Sequence, residues 1–219
     1  MEALIKKIFA QMPADLSVMV VDDNSPDGTG KKADFLAQYY SLSVIHRPRK
    51  EGIGRAYVEA FKKVLSLPER PEFILQMDAD LSHDPQEIPR FLEAAEKYDL
   101  VLGSRYVSGG KIENWGLVRQ FVSRLGNFYA RIILGLPYRD LTSGYKCFHR
   151  QVLESMDLDA LSSVGYNFQI ETTYKTHRAG FEIGEIPIAF TERKFGVSKF
   201  NFGIMLESFL KVLWLKLRD

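Results

Sequence analysis

The chain has 219 residues, 46% hydrophobic and 26% charged, with a net charge of +1. That profile suits one globular domain with a substantial core, and so balanced a charge gives no global field for nucleic acid. Cys147 is the single cysteine, which excludes an intrachain disulfide and fits a reducing compartment, and no apolar run reaches the roughly eighteen residues of a membrane-spanning helix.

The first segment, "MEALIKKIFAQMP", is amphipathic and only modestly apolar, unlike a secretory leader. "SVMVVD" (17–22) is a β-branched run ending in acid. The turn-rich "DNSPDGTG" follows, with Asp27-Gly28 as a plain turn, and then a helical pattern over 31–40. "LSVIH" (42–46) reads as a second strand. "GIGRAYVEAFKKVL" places Ile53, Ala56, Tyr57, Ala60, Phe61 and Val64 on one helical face. "EFILQM" is a third strand, residues 86–97 a helix opened by Asp84-Pro85, and "DLVLGS" (99–104) a fourth strand. Strands and helices alternating at this spacing predict an α/β fold with a mostly parallel sheet covered on both faces.

Ligands of such sheets bind beyond the carboxyl ends of the strands. Asp22 and Asp23 end one strand, and Asp78 and Asp80 end another in "LQMDADLSHDP". Like charges brought together there repel unless a cation sits between them. Hard divalent ions prefer oxygen ligands and share them with phosphates, so Asp-x-Asp suits a metal–diphosphate site. Strand ends also carry Asp as turn formers, but the second acidic strand end favours the ligand reading. In "HRPRKEGIG", Arg49 and Lys50 form a charge run of the kind usually solvated. The flanking Gly52 and Gly54 point instead to close backbone approach to a ligand.

The segments "VDDNSPDGT", "HRPRKEGIGRAY", "QMDADLSHDP", "GSRYVSGG", "LTSGYKCF" and "GYNFQIE", in this order and spacing, resemble dolichol-phosphate (polyprenol-phosphate) mannose synthases. The resemblance runs from about Ala3 to about Lys199. It implies a GT-A (Rossmann-like) glycosyltransferase domain over 1–199, with residues 200–219 as a C-terminal amphipathic helix at a membrane interface. The implied reaction is inverting transfer of mannose from GDP-mannose to a polyprenyl monophosphate, with Mg²⁺ or Mn²⁺ as cofactor. The implied setting is peripheral, on the cytoplasmic face of a membrane. It involves no nucleic acid and leaves room for a membrane-anchoring partner protein.

Carried over position by position, Asp22 and Asp23 contact base and ribose, and Lys50 approaches the nucleotide. Asp78, Ala79 and Asp80 meet the nucleotide sugar, with Asp78 and Asp80 on the metal. Arg105 lies near the phosphates. Ser198 and Lys199 help to neutralise the acceptor phosphate, with Asp80, Arg105 and Lys199 closest to the chemistry; by their charge alone, Arg119 and Arg124 are further candidates for that phosphate. The acceptor is a phosphate monoester with a second pKa of about 6, so it is ionised without a general base. Glu171 then has the lesser role of orienting a sugar hydroxyl, or is simply buried. Family members begin with a strand ending in a Pro-Thr-Tyr-Asn-Glu type motif, whereas this sequence opens on the helix after it. The sheet is therefore expected to lack a central strand.

Residues 115–136 place Val118, Phe121, Val122, Leu125, Phe128, Tyr129, Ile132 and Ile133 along one stripe, which by itself predicts a core-facing helix. The segment "FGIMLESFLKVLWLKLRD" is sparsely charged and contains Trp214, as an interfacial helix would. His46, His149 and His177 read as structural. Two other function classes fit parts of the pattern: a haloacid-dehalogenase-type phosphatase with Asp78 as nucleophile, and a non-catalytic nucleotide-binding relic.

Overall fold

The computed structural model describes residues 1–12, 16–161, 163, 165–191 and 202–218. Helix α1 (Glu2–Phe9) buries Leu4, Ile5, Ile8 and Phe9. Strand β1 (Val18–Asp22) runs parallel to β2 (Leu42–His46), with α2 (Thr29–Leu36) crossing between them. Asp27 Oδ1 accepts from the Thr29 N–H and Gly28 is left-handed at φ 78°, so that dipeptide is the expected turn. Then come α3 (Ile53–Leu65), β3 (Phe73–Gln76), a 3₁₀ turn at Pro85–Glu87, α4 (Ile88–Ala95) and β4 (Leu100–Ser104). Asp84 caps the 3₁₀ turn through the Gln86 N–H.

The second half holds β5 (Lys111–Glu113), α5 (Leu117–Leu134), β6 (Lys146–His149), α6 (Arg150–Ser155), α7 (Tyr166–Arg178), β7 (Ile183–Pro187), β8 (Ala189–Thr191) and α8 (Phe202–Arg218). One sheet has the order β3-β6-β4-β7, with β6 antiparallel to both neighbours and β4 parallel to β7. Strands β5 and β8 form a separate parallel pair. Period-2 alternation sends Leu100 and Leu102 to a face packed with Val58, Phe61 and Phe168, while Val101 faces Phe91 and Ile188. Helices therefore cover both faces, as expected. Gly103 is required where α4 comes closest: a Cβ there would lie 2.7 Å from the Phe91 ring.

The expected gap is visible as a split. Among the described residues β1 pairs only with β2, and β3 only with β6. The seam is closed by helices. Leu4 and Ile8 of α1 pack with Leu75 and Met77 beside β3, while Ile5 and Phe9 pack with Val20 and Leu36; Val18 joins both clusters. From α3, the Tyr57 hydroxyl donates to Met77 O at 3.1 Å. The first four residues of β1 are only half-buried, as a strand with one unpaired edge would be.

Helix α5 departs from its expectation. Leu117 (83% exposed), Val118, Phe121, Leu125, Phe128 and Ile132 face outward, and only Tyr129 and Ile133 of the stripe pack inward. The buried side is held by Asn127, whose Oδ1 accepts from the Leu141 N–H at 2.7 Å and whose Nδ2 donates to Thr142 Oγ1 at 3.0 Å. Helix α8 packs on α5 and α7 through Val212 and Leu215 and leaves Leu210, Leu213, Trp214 and Leu217 exposed. No helix among the described residues is long and apolar enough to cross a membrane.

Candidate active site

At the end of β3 the chain turns sharply through Asp78-Ala79-Asp80, with Leu81 in the left-handed region at φ 66°. A bulky residue held there marks a turn that its surroundings over-determine. Asp80 Oδ1 accepts from the Ser82 N–H at 3.0 Å and from its hydroxyl at 2.5 Å. The Asp78 N–H donates to His83 Nδ1 at 3.0 Å, which leaves the proton of the neutral ring on Nε2. His83 is buried and stacks on Tyr145 at 4.8 Å, and burial lowers its pKa. Tyr57 packs half-buried against the same turn. Burial first, then the charges of Asp78 and Asp80, raise its pKa, so both carboxylates lie within electrostatic reach of one phenol.

Neither Asp78 oxygen, nor Asp80 Oδ2, has a hydrogen-bond donor among the described residues. No cluster of three or more His, Cys, Asp or Glu forms a metal site among them. A pair of carboxylates with free oxygens and little else fits a divalent cation that draws its remaining ligands from phosphate and water.

At the end of β1, Asp22 is buried, with Oδ2 accepting from the Ser25 N–H at 3.2 Å and Oδ1 unpartnered among the described residues. Asp23 pairs with Arg47, a residue that sequence reasoning passed over inside a charge run. Arg47 is 4% exposed and also bonds Glu51 at 3.1 Å and Glu59 at 3.0 Å. Burial opposes its charge, but Asp23 and Glu59 outweigh that and raise its pKa. Lys50 is exposed on the loop before α3. Gly52 and Gly54 have causes inside the protein rather than the expected ligand: Gly52 sits at φ 96° as the cap of α3, and a Cβ on Gly54 would lie 2.5 Å from Ser163 O. Helix α3 packs on β1 and, through Tyr57, on the end of β3, so it joins the two acidic strand ends.

Beyond β4 lies a basic and aromatic group. Arg119 stacks on Trp115 at 3.9 Å, and Arg124 lies 5.4 Å from the Tyr106 ring. Arg105 lies among Tyr106, Trp115 and Phe190 at 5.3–5.4 Å. Arg105 corrects its expected role in one respect. Its Nε and Nη2 are taken by Asp140, and Nη2 also by Thr142, so only Nη1 and its charge remain for a phosphate. Ala79 is exposed. Ser198 and Lys199 lie outside the described residues. Glu171 is fully buried, with Oε2 accepting from the Ser163 N–H at 2.9 Å, which is the buried alternative rather than a sugar contact. His149 caps α6 and His177 meets Tyr138, both structural as expected.

A family model for glycosyl transferase family 2 matches residues 1–157. Undecaprenyl-phosphate mannosyltransferase of Micrococcus luteus is 46% identical over 196 residues, spanning 89% of this chain and 80% of that protein. Polyprenol monophosphomannose synthase of Mycolicibacterium smegmatis is 44% identical over 198 residues, spanning 89% and 74%. Among solved structures, glucosyl-3-phosphoglycerate synthase from Mycobacterium tuberculosis, in complex with Mn²⁺ and UDP-glucose, superposes with a TM-score of 0.65 at 18% identity, over 99% of this chain and 74% of that one. Mannosyltransferase PcManGT from Pyrobaculum calidifontis, in complex with GDP-Man and Mn²⁺, superposes at 0.62 with 15% identity, over 100% of this chain and 60% of that one. At those identities the two structures speak for the fold alone.

Proposed function

The chain belongs to glycosyl transferase family 2 and has the GT-A fold, and on that premise we propose that it moves mannose from GDP-mannose to a polyprenyl monophosphate, with inversion at the anomeric carbon. The observation that carries the proposal is the pairing of a free carboxylate turn, Asp78–Asp80, with a wall of arginines and aromatics beside an exposed apolar helix. The two mannosyltransferase relatives, similar over most of the chain, support the sugar and the acceptor class.

Each part has a task. Asp78 and Asp80 would hold Mg²⁺ or Mn²⁺, which supplies neutralisation of the donor diphosphate. Asp23, oriented by Arg47, lies on the nucleotide side with Asp22 and Lys50. Arg119 and Arg124, stacked on Trp115 and Tyr106, receive the acceptor phosphate, and Arg105 adds a fixed positive charge behind them. The ionised acceptor oxygen attacks the anomeric carbon, the bond to GDP breaks, and no general base is needed. Ser198 and Lys199 belong to the same reading as phosphate ligands.

The lipid tail and the enzyme meet at the membrane surface. The outward apolar residues of α5 and α8 form its docking face, with Lys211 and Arg218 stacked on Trp214 for anionic headgroups. The setting is peripheral, on the cytoplasmic leaflet, with or without a membrane-anchoring partner protein.

The test is transfer of radiolabel from GDP-mannose to a polyprenyl phosphate, compared with UDP-glucose. Faster formation of lipid-linked mannose is expected. Preference for the UDP-sugar overturns the donor, and metal-dependent GDP binding without turnover selects the non-catalytic relic. Release of phosphate from simple phosphomonoesters would return the phosphatase reading, which family membership disfavours.

A further inference from the structure

Phe190, the middle residue of β8, touches both halves of the site. Its ring meets His83 edge-to-face, with centroids 5.5 Å apart, and meets Trp115 in the same way at 5.4 Å. The Arg105 guanidinium carbon lies 5.3 Å from its centroid. The backbone is tied to the same places. Phe190 aligns with Ile112 in the β5–β8 pair and forms an isolated bridge to His83. The next residue, Thr191, donates its N–H to Ser82 O at 3.4 Å and its hydroxyl to Glu113 at 3.1 Å.

His83 accepts from the Asp78 N–H, so the ring that abuts Phe190 is one bond from the carboxylate turn. Arg105 and Trp115, on the other side, belong to the basic wall, where Trp115 carries Arg119. Phe190 is thus in van der Waals reach of one group from each side. An aromatic ring suits this place because it is flat and stiff, with a negative face for a cation and positive edges for neighbouring rings.

We propose that Phe190 is a positioning residue for glycosyl transfer: its ring sets the separation between the Asp78–Asp80 turn and the arginine wall. The inference rests on the reading that the turn holds the donor diphosphate and the wall the acceptor phosphate. In a displacement without a general base, rate depends on how well the two phosphates are held apart and aligned. A misplacement of about 1 Å can cost as much as 10²-fold. Losing the ring leaves Asp78, Asp80, Arg119 and Arg124 all present but lets the two sides drift.

The experiment uses the full chain with Mn²⁺, GDP-mannose and polyprenyl phosphate, and compares Phe190→Ala, Phe190→Leu and Phe190→Tyr. Phe190→Ala and Phe190→Leu are expected to lower kcat roughly tenfold or more, with the calorimetric affinity for GDP and Mn²⁺ unchanged. Phe190→Tyr, which keeps the ring, is expected to restore kcat. If Phe190→Ala does not fold, Phe190→Leu carries the comparison. A wild-type kcat in Phe190→Leu overturns the proposal. So does a loss of GDP–Mn²⁺ affinity in Phe190→Leu in step with kcat, whether or not Phe190→Tyr repairs it, because the ring would then only hold the fold. A wild-type protein that binds GDP and Mn²⁺ but transfers nothing overturns the functional reading and this inference together.

Discussion

Arg105 and Asp140 are locked by two side-chain hydrogen bonds of 2.7 Å each, and the Arg105 N–H adds a third to the same carboxylate at 2.9 Å. Asp140 is fully buried and Arg105 nearly so. Burial alone would weaken the guanidinium charge, but Asp140 more than offsets it and the pKa is raised. The pair therefore acts as a fixed element beside Tyr106, Trp115 and Phe190.

Removing one partner of such a pair strands a buried charge. Asp140→Ala is expected to cost about 3–5 kcal/mol of stability, read from urea unfolding. Arg105→Lys will not reproduce wild type, because an ammonium lacks the planar fork that bonds both carboxylate oxygens. Wild-type stability in Asp140→Ala would refute the structural role.

Asp80→Ala is expected to abolish the gain in GDP affinity that Mn²⁺ or Mg²⁺ confers, while leaving the weaker metal-free binding intact. Calorimetry with and without metal measures it. A metal gain of wild-type size in the variant would remove Asp80 from the metal site.

Lys146 gives a pH prediction. Its Nζ is fully buried and lies 2.6 Å from Gln169 O, 2.9 Å from Thr173 Oγ1 and 3.0 Å from Thr172 Oγ1. Burial drives its pKa well below the ordinary 10.5, with Asp140 opposing weakly. Between its native pKa and 10.5 the unfolded chain binds more protons than the native one, so stability rises with pH. Relative to Lys146→Met, wild type should gain up to about 1.4 kcal/mol per pH unit in that window. Urea midpoints of both proteins across the alkaline range decide it, and a constant difference would contradict it.

The outward face of α5 gives a membrane prediction. Phe121 and Phe128 are exposed, so Phe121→Ser with Phe128→Ser should leave the melting temperature unchanged. Burying a phenylalanine contributes about 1.5–3 kcal/mol, so affinity for anionic vesicles should fall by at least about tenfold. Vesicle binding equal to wild type would move the docking face elsewhere.

The first four strands were legible because β-branched runs ended at acids and turns, as "SVMVVD" did at Asp22. Strand β6 was not, because four residues with a lysine in a fully buried position break any apolar pattern. The periodicity of α5 showed an amphipathic helix but not which side would be covered, since a stripe carries no information about what packs on it. The carboxylate turn was plain in "DADLSHDP", while Arg47 was hidden because a buried, triply paired arginine reads like a solvated one. His83 braces Asp78 through a ring nitrogen, a contact that sequence spacing does not reveal.

The seam between β1 and β3 bears on how the two acidic strand ends are held. In a continuous sheet, each strand is pinned to its neighbour at about 4.8 Å by a ladder of hydrogen bonds, a stiff link that allows little play. Here Asp23 and Asp78 sit on separate ladders, coupled through α1 and α3 by side-chain packing and one tyrosine hydroxyl. Packing resists compression better than sliding. Among the described residues the link between Asp23 and Asp78 is therefore one of packing, which lacks the directional stiffness of a hydrogen-bond ladder.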